Sequence, residues 1–444
     1  MTKNTGYMKN RLLSKRKFLK NILYIVLSLP YIGSIMVRTR KSESYFKDPD
    51  VLTMNNLAEI RRQFAFKKRR IIMNNDGNDL VVKNESDKLD PQAFINRRFT
   101  GLENTQVDAI SYCTGIFDSY THNSTVSDKR YVDGRGRELL TKYLFEKGTD
   151  SLQEAIKFCR KNNLDIFWSF RFNDTHDSQN GMELVPWKAA HRSSLMGNPG
   201  DTFFLGGNPW SALNYSKKDV RDKVFAIIED VISRYDVDGI EIDFFRHLYI
   251  FPEVLNGSVS ENKNRQKLTS LISDIRESLN INSIKKQKPL LFLIRIPDSI
   301  PYCYDLGIDI EEWLKMKFID IIIAGGYFKL EPWTYTVEVG KKYDVPVYAC
   351  LTPRRINNGG SPGQKSDLLK WRGEAYNALK AGVNGIYTFN RFNPKDPIFK
   401  QIGDINILEK SDKIDQESFI CDTCWFKPQR WLKDGDKYLK YFQN

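Results

Sequence analysis

The sequence predicts an α/β fold, a (β/α)8 TIM barrel with enlarged βα loops and a short C-terminal extension. Two observations lead to this prediction. Eight short apolar runs follow one another along the 444-residue chain, and segments with helical periodicity separate them. No glycine-rich phosphate-binding fingerprint follows the first run, which argues against a doubly wound open sheet.

The eight runs are rich in the β-branched and aromatic residues that strands prefer. They cover residues 69–77, 107–116, 164–174, 237–245, 289–297, 318–326, 345–351 and 384–392. Apolar residues recur every three or four positions in the segments between them, as in amphipathic helices. We therefore predict helices at 136–162, 217–235, 262–279, 310–316 and 366–381, with a short one near 57–66.

The chain divides into four predicted parts. Residues 1–41 form an export signal or signal anchor, and residues 42–67 form a linker or an N-terminal arm. Residues 68–405 form the barrel, and residues 406–444 form a tail that packs on it.

The net charge of +13 is concentrated at the N-terminus. Residues 1–41 contain ten Lys or Arg and no acidic residue, which leaves +3 for the rest of the chain. A body so nearly balanced in charge gives no sign of a nucleic-acid partner.

The same N-terminal residues indicate export, because a basic stretch precedes the uncharged stretch Asn21–Val37. Ser14–Lys20 is similar to the twin-arginine export motif, with Lys15 in place of the first arginine. Left uncleaved, such a stretch could anchor the chain, at the short end of what spans a bilayer. We expect an exported protein (periplasmic, extracellular or membrane-tethered) that touches a membrane only through this segment.

Cysteine and histidine spacing predicts neither a cofactor nor a metal. Cys421 and Cys424 form a lone C-x-x-C pair, for which a local disulfide and a zinc site both stay open. Four histidines follow the second to fourth strands and should gather on one side of the barrel, but they lack metal-binding spacing. They are His122, His176, His191 and His247.

The most informative stretch is Val237–Phe245, where Glu241 and Asp243 lie two residues apart and share one face of the strand. Two carboxylates on an otherwise apolar strand are costly to bury without a task or a partner. We predict Asp243 to be catalytic, as nucleophile or general acid. Glu241 is the second catalytic candidate, with Asp76 and Asp174 as alternatives, and Glu241 could instead lie deeper and orient other groups. The alternative is a buried pair that is hydrogen-bonded to backbone.

In such barrels the site lies where the strands end and the βα loops begin. Polar residues at the strand ends, with two carboxyl groups among them, fit a carbohydrate site. The arginines among them could favour an acidic or sulfated sugar, or could pair with carboxylates in the barrel mouth. The predicted substrate-binding residues are Asn75, Asp76, Arg171, Asp174, Arg246, His247, Arg295, Tyr327, Asn390 and Arg391.

VDGIEIDFFRHLYIFP (Val237–Pro252) resembles the DGI-x-x-D-x-x-R…P segment of glycosyl hydrolase-like family 10, a family of exported bacterial barrels. IIMNNDGNDL and SYCTGIFDSYTHNS resemble stretches of the same kind. The resemblance covers about residues 69–405 and implies a TIM barrel that is glycoside hydrolase-like. The strand is also similar to the family-18 chitinase motif D-x-x-D-x-D-x-E, but Phe245 replaces the acidic glutamate, so chitinase chemistry is not expected.

We therefore predict a glycoside hydrolase-like barrel that acts on a poly- or oligosaccharide by carboxylate acid/base or nucleophilic chemistry. Two alternatives stay open because a fold does not determine its function. One is a barrel that binds glycans without cleaving them. The other is a lyase or metal-dependent hydrolase on the same fold.

Overall fold

The computed structural model describes residues 51–76, 79–90, 92–178, 184–205, 209–356, 365–414 and 427–439. The predicted export signal and the Cys421–Cys424 pair lie outside the described residues. Within the described ranges, no helix combines the length and apolar character that a membrane span requires.

Eight parallel strands close into a barrel, which confirms the predicted fold class. Each strand pairs with the next in chain order, and β8 pairs with β1 to close the barrel. Every predicted run contains one barrel strand, which is shorter than the run because the ends of the run lie in the loops. The strands are β1 (Ile71–Asn75), β2 (Val107–Tyr112), β3 (Asp165–Arg171), β4 (Gly239–Asp243), β5 (Leu291–Ile296), β6 (Ile321–Ala324), β7 (Val347–Leu351) and β8 (Gly385–Thr388).

Helices lie between the strands, as the periodicity predicts. The longer ones are Ser151–Lys161, Lys218–Arg234, Asn262–Lys286, Trp333–Tyr343 and Lys365–Ala381, of which Trp333–Tyr343 lies outside the predicted helices. Shorter helices are Leu57–Phe66, Glu85–Leu89, Ala93–Arg98, Thr141–Glu146, Pro186–Ala190, Pro252–Leu255, Ile300–Leu306, Ile310–Lys315, Pro353–Ile356 and Ile405–Glu409. Asn262–Lys286 extends beyond its predicted end because Asn282 and Ser283 bond to backbone carbonyls one turn earlier.

The predicted helix 136–162 is divided into Thr141–Glu146 and Ser151–Lys161. Gly148 adopts a positive φ of 70° between them, where the chain turns. The side chain of Asp150 then caps the second helix by accepting hydrogen bonds from two backbone N–H groups of its first turn. The apolar periodicity continues through this region and does not reveal the break, which results from the glycine and the capping residue.

The loops after β2 and β3 are enlarged. The first contains a small sheet made of Gly115–Ile116, Ser119–Tyr120 and Asp128–Lys129. The second contains Pro186–Ala190 and three single-turn 3₁₀ helices: His176–Ser178, Arg192–Ser194 and Pro209–Ser211. Both loops stand at the carboxyl end of the barrel strands.

Helix Leu57–Phe66 lies against the opposite, amino-terminal end of the barrel. The guanidinium of its buried Arg61 donates to Asp320 (2.6 Å), to Asn280 (2.9 Å) and to the carbonyl oxygen of Lys317 (2.9 Å). These contacts attach the helix to the ends of the barrel elements.

The described part of the C-terminal tail, residues 427–439, packs on the loops that follow β4 and β5. Trp431 is fully buried, and its ring centroid lies 4.9 Å from that of Tyr249. The hydroxyl of Tyr302 donates to the carbonyl oxygen of Pro428 at 2.8 Å.

Candidate active site

Glu241 lies inside the barrel and is fully buried. The hydroxyls of Ser111, Ser169 (3.1 Å) and Tyr387 (2.9 and 3.0 Å) donate to its carboxylate. Burial, and then the charge of Asp243, raise the pKa of Glu241 to about 7. The three hydroxyls explain how a carboxyl group is accommodated in this position.

Asp243 ends β4 one layer above Glu241 and is paired with Arg295 of β5. The Nε and Nη2 atoms of Arg295 donate to the two carboxylate oxygens, each at 2.9 Å. Both side chains are buried, and the Arg295 guanidinium also lies 3.9 Å from the ring centroid of Phe389. Burial acts to lower the pKa of Arg295, but the charge of Asp243 outweighs it and holds that pKa well above its ordinary value. The pair is therefore charged inside the barrel.

A chain of ion pairs crosses the barrel mouth above this layer. Arg171 donates to Asp174 at 2.8 Å and to Asp76 at 2.9 Å. Arg246 lies 3.4 Å from Asp76 and donates to the hydroxyl of Tyr327 at 3.1 Å. Burial acts to raise the pKa of Asp76, but Arg171 and Arg246 outweigh it, so the net direction is downward and Asp76 stays ionised.

Two histidines adjoin this chain. Nδ1 of His176 lies 2.7 Å from Oδ1 of Asp174, and Arg246 lies 3.1 Å from Nε2 of the same ring. Nδ1 of His247 accepts a hydrogen bond from the backbone N–H of Thr175 at 3.3 Å.

Asp174, His176 and His247 offer metal-ligand atoms within 4.8 Å of one another. However, the Asp174 carboxylate already accepts hydrogen bonds from His176 and Arg171. The two guanidinium groups beside the cluster would also repel a metal cation. The donor set therefore fits a hydrogen-bonded network better than a metal centre.

The expected gathering of four histidines is wrong for His122 and His191. His191 stacks on Trp187, with ring centroids 4.2 Å apart, and His122 stacks on Tyr120 at 4.9 Å. His122 is fully buried, which lowers its pKa to about 3. The sequence could not separate these environments, because each depends on where a long loop folds back.

A cavity of about 620 Å³ opens beside the ends of β1 to β4. Asp76, Arg171, Arg246 and His176 line it together with residues of the β2 and β3 loops. Asp243, Glu241 and Arg295 are not among the described residues that line this cavity.

Asp79 also lines the cavity, three residues after Asp76 in the β1 loop. Its Oδ2 accepts a hydrogen bond from the hydroxyl of Tyr112 at 3.0 Å and faces Nδ2 of Asn75 at 3.4 Å. Its Oδ1 is buried and has no hydrogen-bond partner among the described residues. Burial raises the pKa of Asp79, in the direction opposite to that of Asp76.

Neither Asn390 nor Arg391, both predicted to bind substrate, is among the described residues that line the cavity. Arg391 donates to Asp396 at 2.6 Å and to Asp367 at 2.8 Å, so it makes structural ion pairs. Asn390 adopts a positive φ of 57°, a conformation that asparagine tolerates in turns.

Most residues of the cavity are absent from the sequence-based list, and three of them matter for the chemistry: Asp79, Arg130 and His176. All three lie in loops rather than at strand ends. His176 was among the histidines expected on one side of the barrel, whereas the signal for Asp79 and Arg130 was the length of the loops after β1 and β2 and the acidic spacing Asp76-x-x-Asp79.

The fold and the polar mouth define a glycoside hydrolase-like (β/α)8 barrel. Residues 130–344 match the family model described as Glycosyl hydrolase-like 10, so the resemblance in the sequence is confirmed. No curated protein matches the chain.

Among solved structures, the chain is similar to the PgaB (BpsB) glycoside hydrolase domain from Bordetella bronchiseptica. The identity is 11% and the TM-score 0.50, over 76% of this chain and 98% of that domain. Alpha-L-fucosidase isoenzyme 2 from Paenibacillus thiaminolyticus is 12% identical, with a TM-score of 0.44 over 77% of this chain and 48% of the fucosidase. At 11% identity, the similarity to the PgaB domain shows only that the two proteins share a fold.

Proposed function

We propose that the protein is an exported glycoside hydrolase whose poly- or oligosaccharide substrate binds in the 620 Å³ cavity. The observation that supports this most is that two carboxyl groups of opposite pKa direction, Asp76 and Asp79, line one cavity at the barrel mouth. Glycosidic cleavage needs one carboxyl group that bears a proton and one that is ionised. The proposal of export rests on the basic and apolar residues 1–41.

In this mechanism Asp79 donates a proton to the glycosidic oxygen that leaves. Asp76 remains ionised beside Arg171 and Arg246 and stabilises the positive charge that develops at the anomeric carbon. Both groups line the cavity, as a group that reacts with substrate must.

A second assignment uses the residues predicted from the sequence, with Asp243 as nucleophile or general acid and Glu241 beneath it. The raised pKa of Glu241, about 7, suits a proton donor. However, this assignment requires Arg295 to release Asp243 and the substrate to reach a buried layer. Asp76 and Asp79 are also buried, and Asp76 is also paired with arginines. Both residues line the cavity, whereas Asp243 is not among the described residues that do, so we favour the assignment to Asp76 and Asp79.

We further propose that the substrate is acidic or sulfated. Arg171 and Arg246 are neutralised by carboxylates, but Arg130 forms no ion pair among the described residues, and its Nε donates only a long hydrogen bond (3.4 Å) to the carbonyl oxygen of Val132. Burial, and then Arg171, lower the pKa of Arg130. An anionic group in the cavity would relieve this repulsion and would accept paired hydrogen bonds from the guanidinium.

The test is reducing-sugar release by the full-length protein from neutral, acidic and sulfated polysaccharides. We expect release from an acidic or sulfated polymer, at least about 100-fold slower in Asp76→Asn and in Asp79→Asn. Arg130→Gln should raise KM for the anionic polymer and leave kcat nearly unchanged. Asp108→Asn is the matched control, because Asp108 pairs with Arg70 at the opposite end of the barrel.

Other outcomes would select the alternatives. Binding without release by the wild type would favour a glycan-binding barrel, and loss of release on chelation would favour a metal-dependent hydrolase. Full activity in Asp76→Asn, with loss in a folded Asp243→Asn, would assign catalysis to the buried layer instead.

A further inference from the structure

The cavity also contains a proton acceptor that is not a carboxylate. His176 lines the cavity from the β3 loop, and its side chain is 33% exposed, against 2% for that of Asp174 behind it. The imidazole is therefore the member of this pair that a substrate can reach.

Hydrogen bonds fix the tautomer of His176. A guanidinium only donates, so Arg246 donates to Nε2 of His176 and that nitrogen is an acceptor. Nδ1 then carries the proton and donates it to Asp174 at 2.7 Å. His176 is thus a neutral imidazole whose basic nitrogen lies on the side away from Asp174.

Asp174 is itself held in place. Its Oδ2 accepts from Arg171 at 2.8 Å, and its Oδ1 also accepts from the backbone N–H of His176 at 2.9 Å. Burial acts to raise the pKa of Asp174, but the charge of Arg171 and the hydrogen bond from His176 bring it well below its ordinary value. An ionised carboxylate that orients an imidazole is the arrangement that makes histidine an effective base.

We propose that His176 is the general base of the hydrolysis, with Asp174 as its positioning residue; this inference rests on the function proposed above. Nε2 of His176 takes a proton from a water molecule in the cavity. The water oxygen bonds to the anomeric carbon as the bond from that carbon to the glycosidic oxygen breaks. The electron pair of that bond passes to the glycosidic oxygen, which takes the proton of Asp79.

Two consequences follow from this step. Direct attack by water inverts the anomeric configuration. The lone pair of Nε2 is also occupied by Arg246 in the free protein, so the base becomes available when an anionic sugar draws Arg246 away. An anionic substrate should therefore have a higher kcat as well as a lower KM than its neutral counterpart.

The experiment compares wild type, His176→Gln and Asp174→Asn with His191→Gln, a matched control on the same loop. We expect His176→Gln to lower kcat at least about 100-fold and to change KM little. Asp174→Asn should lower kcat to a similar degree, because asparagine has only one acceptor atom for His176 and Arg171 and lacks the charge that stabilises the imidazolium formed in the reaction. The first product formed, followed by proton NMR, should be the inverted anomer.

The outcomes separate this proposal from the proposed function. An active wild type with full activity in His176→Gln, or with a retained anomer, would overturn the base and leave the hydrolase. A wild type that releases no sugar would overturn both. The tautomer is measured without activity: ¹⁵N NMR of the folded wild type should show protonated Nδ1 in His176, and protonated Nε2 would refute the geometry.

Discussion

Replacing Asp243 by asparagine removes one charge from a buried ion pair and leaves Arg295 charged inside the barrel. The two side chains are 1% and 0% exposed, so water cannot replace the lost carboxylate. Asparagine has nearly the same shape, but only one of its two terminal atoms accepts hydrogen bonds. One of the two 2.9 Å bonds from Arg295 therefore becomes a contact between two donors.

The expected loss of stability in Asp243→Asn follows from the burial of the ion pair. Breaking a buried pair by removing one partner costs about 3–5 kcal/mol. The ring of Phe389, 3.9 Å from the Arg295 guanidinium, still offers a cation–π contact on the order of 1 kcal/mol in both proteins and does not change the difference. We expect Asp243→Asn to lower the free energy of unfolding by about 4 kcal/mol. Asp243→Asn/Arg295→Met, which removes both charges, should recover most of that loss.

Urea unfolding at pH 7, followed by tryptophan fluorescence, measures these differences. Asp108→Asn is again the control, and its partly exposed pair with Arg70 should contribute about 1 kcal/mol or less. A loss below about 1 kcal/mol in Asp243→Asn, or a double variant as unstable as the single one, would refute the reasoning. The stability measurement must therefore accompany any activity assay of this variant.

Three further predictions concern pH and backbone. Burial raises the pKa of Glu241 from 4.5 to about 7. The stability that the protonated carboxyl group contributes is fully present below pH 4.5 and is lost as pH rises through 7. The free energy of unfolding of Glu241→Gln should therefore exceed that of wild type by about 3 kcal/mol at pH 8 and by little at pH 4. Burial lowers the pKa of His122 from 6.5 to about 3. The free energy of unfolding of wild type should therefore fall by about 2 kcal/mol more than that of His122→Gln between pH 8 and pH 5. An equal fall in the two proteins, measured by urea unfolding at both pH values, would contradict this. Gly239 has a φ of +153°, and an added Cβ would lie 2.1 Å from the carbonyl oxygen of Leu291, so Gly239→Ala should lower the free energy of unfolding by at least about 3 kcal/mol. Gly136 has a φ of +73° and no atom within 4 Å of an added Cβ, so Gly136→Ala should lower it by about 1 kcal/mol.

The barrel could be predicted because each strand leaves a local signal. Val347–Leu351, for example, is a short apolar run whose residues are all buried, and the helix predicted after it, at 366–381, shows its own period. Strand order also follows from the chain, since consecutive strands of such barrels are neighbours. This is why Asp243 of β4 meets Arg295 of β5 across adjacent strands.

The site was predictable only in part, because strand ends are visible in the sequence and loop contacts are not. Asp76 and Arg171 were found at strand ends and do meet. Arg391 was chosen by the same rule, but Asp367 and Asp396 bind it away from the mouth cluster. His176 faces the cavity only because the β3 loop folds back over the barrel, a long-range arrangement that leaves no periodic signal.

The arginine of helix Leu57–Phe66 determines where a useful fragment of this protein can begin. Asp320 is buried and shared by two arginines, Arg61 of that helix and Arg276 of the long helix after β4. A fragment cut at residue 68, the predicted start of the barrel, would lose the first of these cations and expose the apolar contacts of Leu57 and Ala65. The folded unit therefore includes the chain from residue 51, and expression fragments should keep that segment.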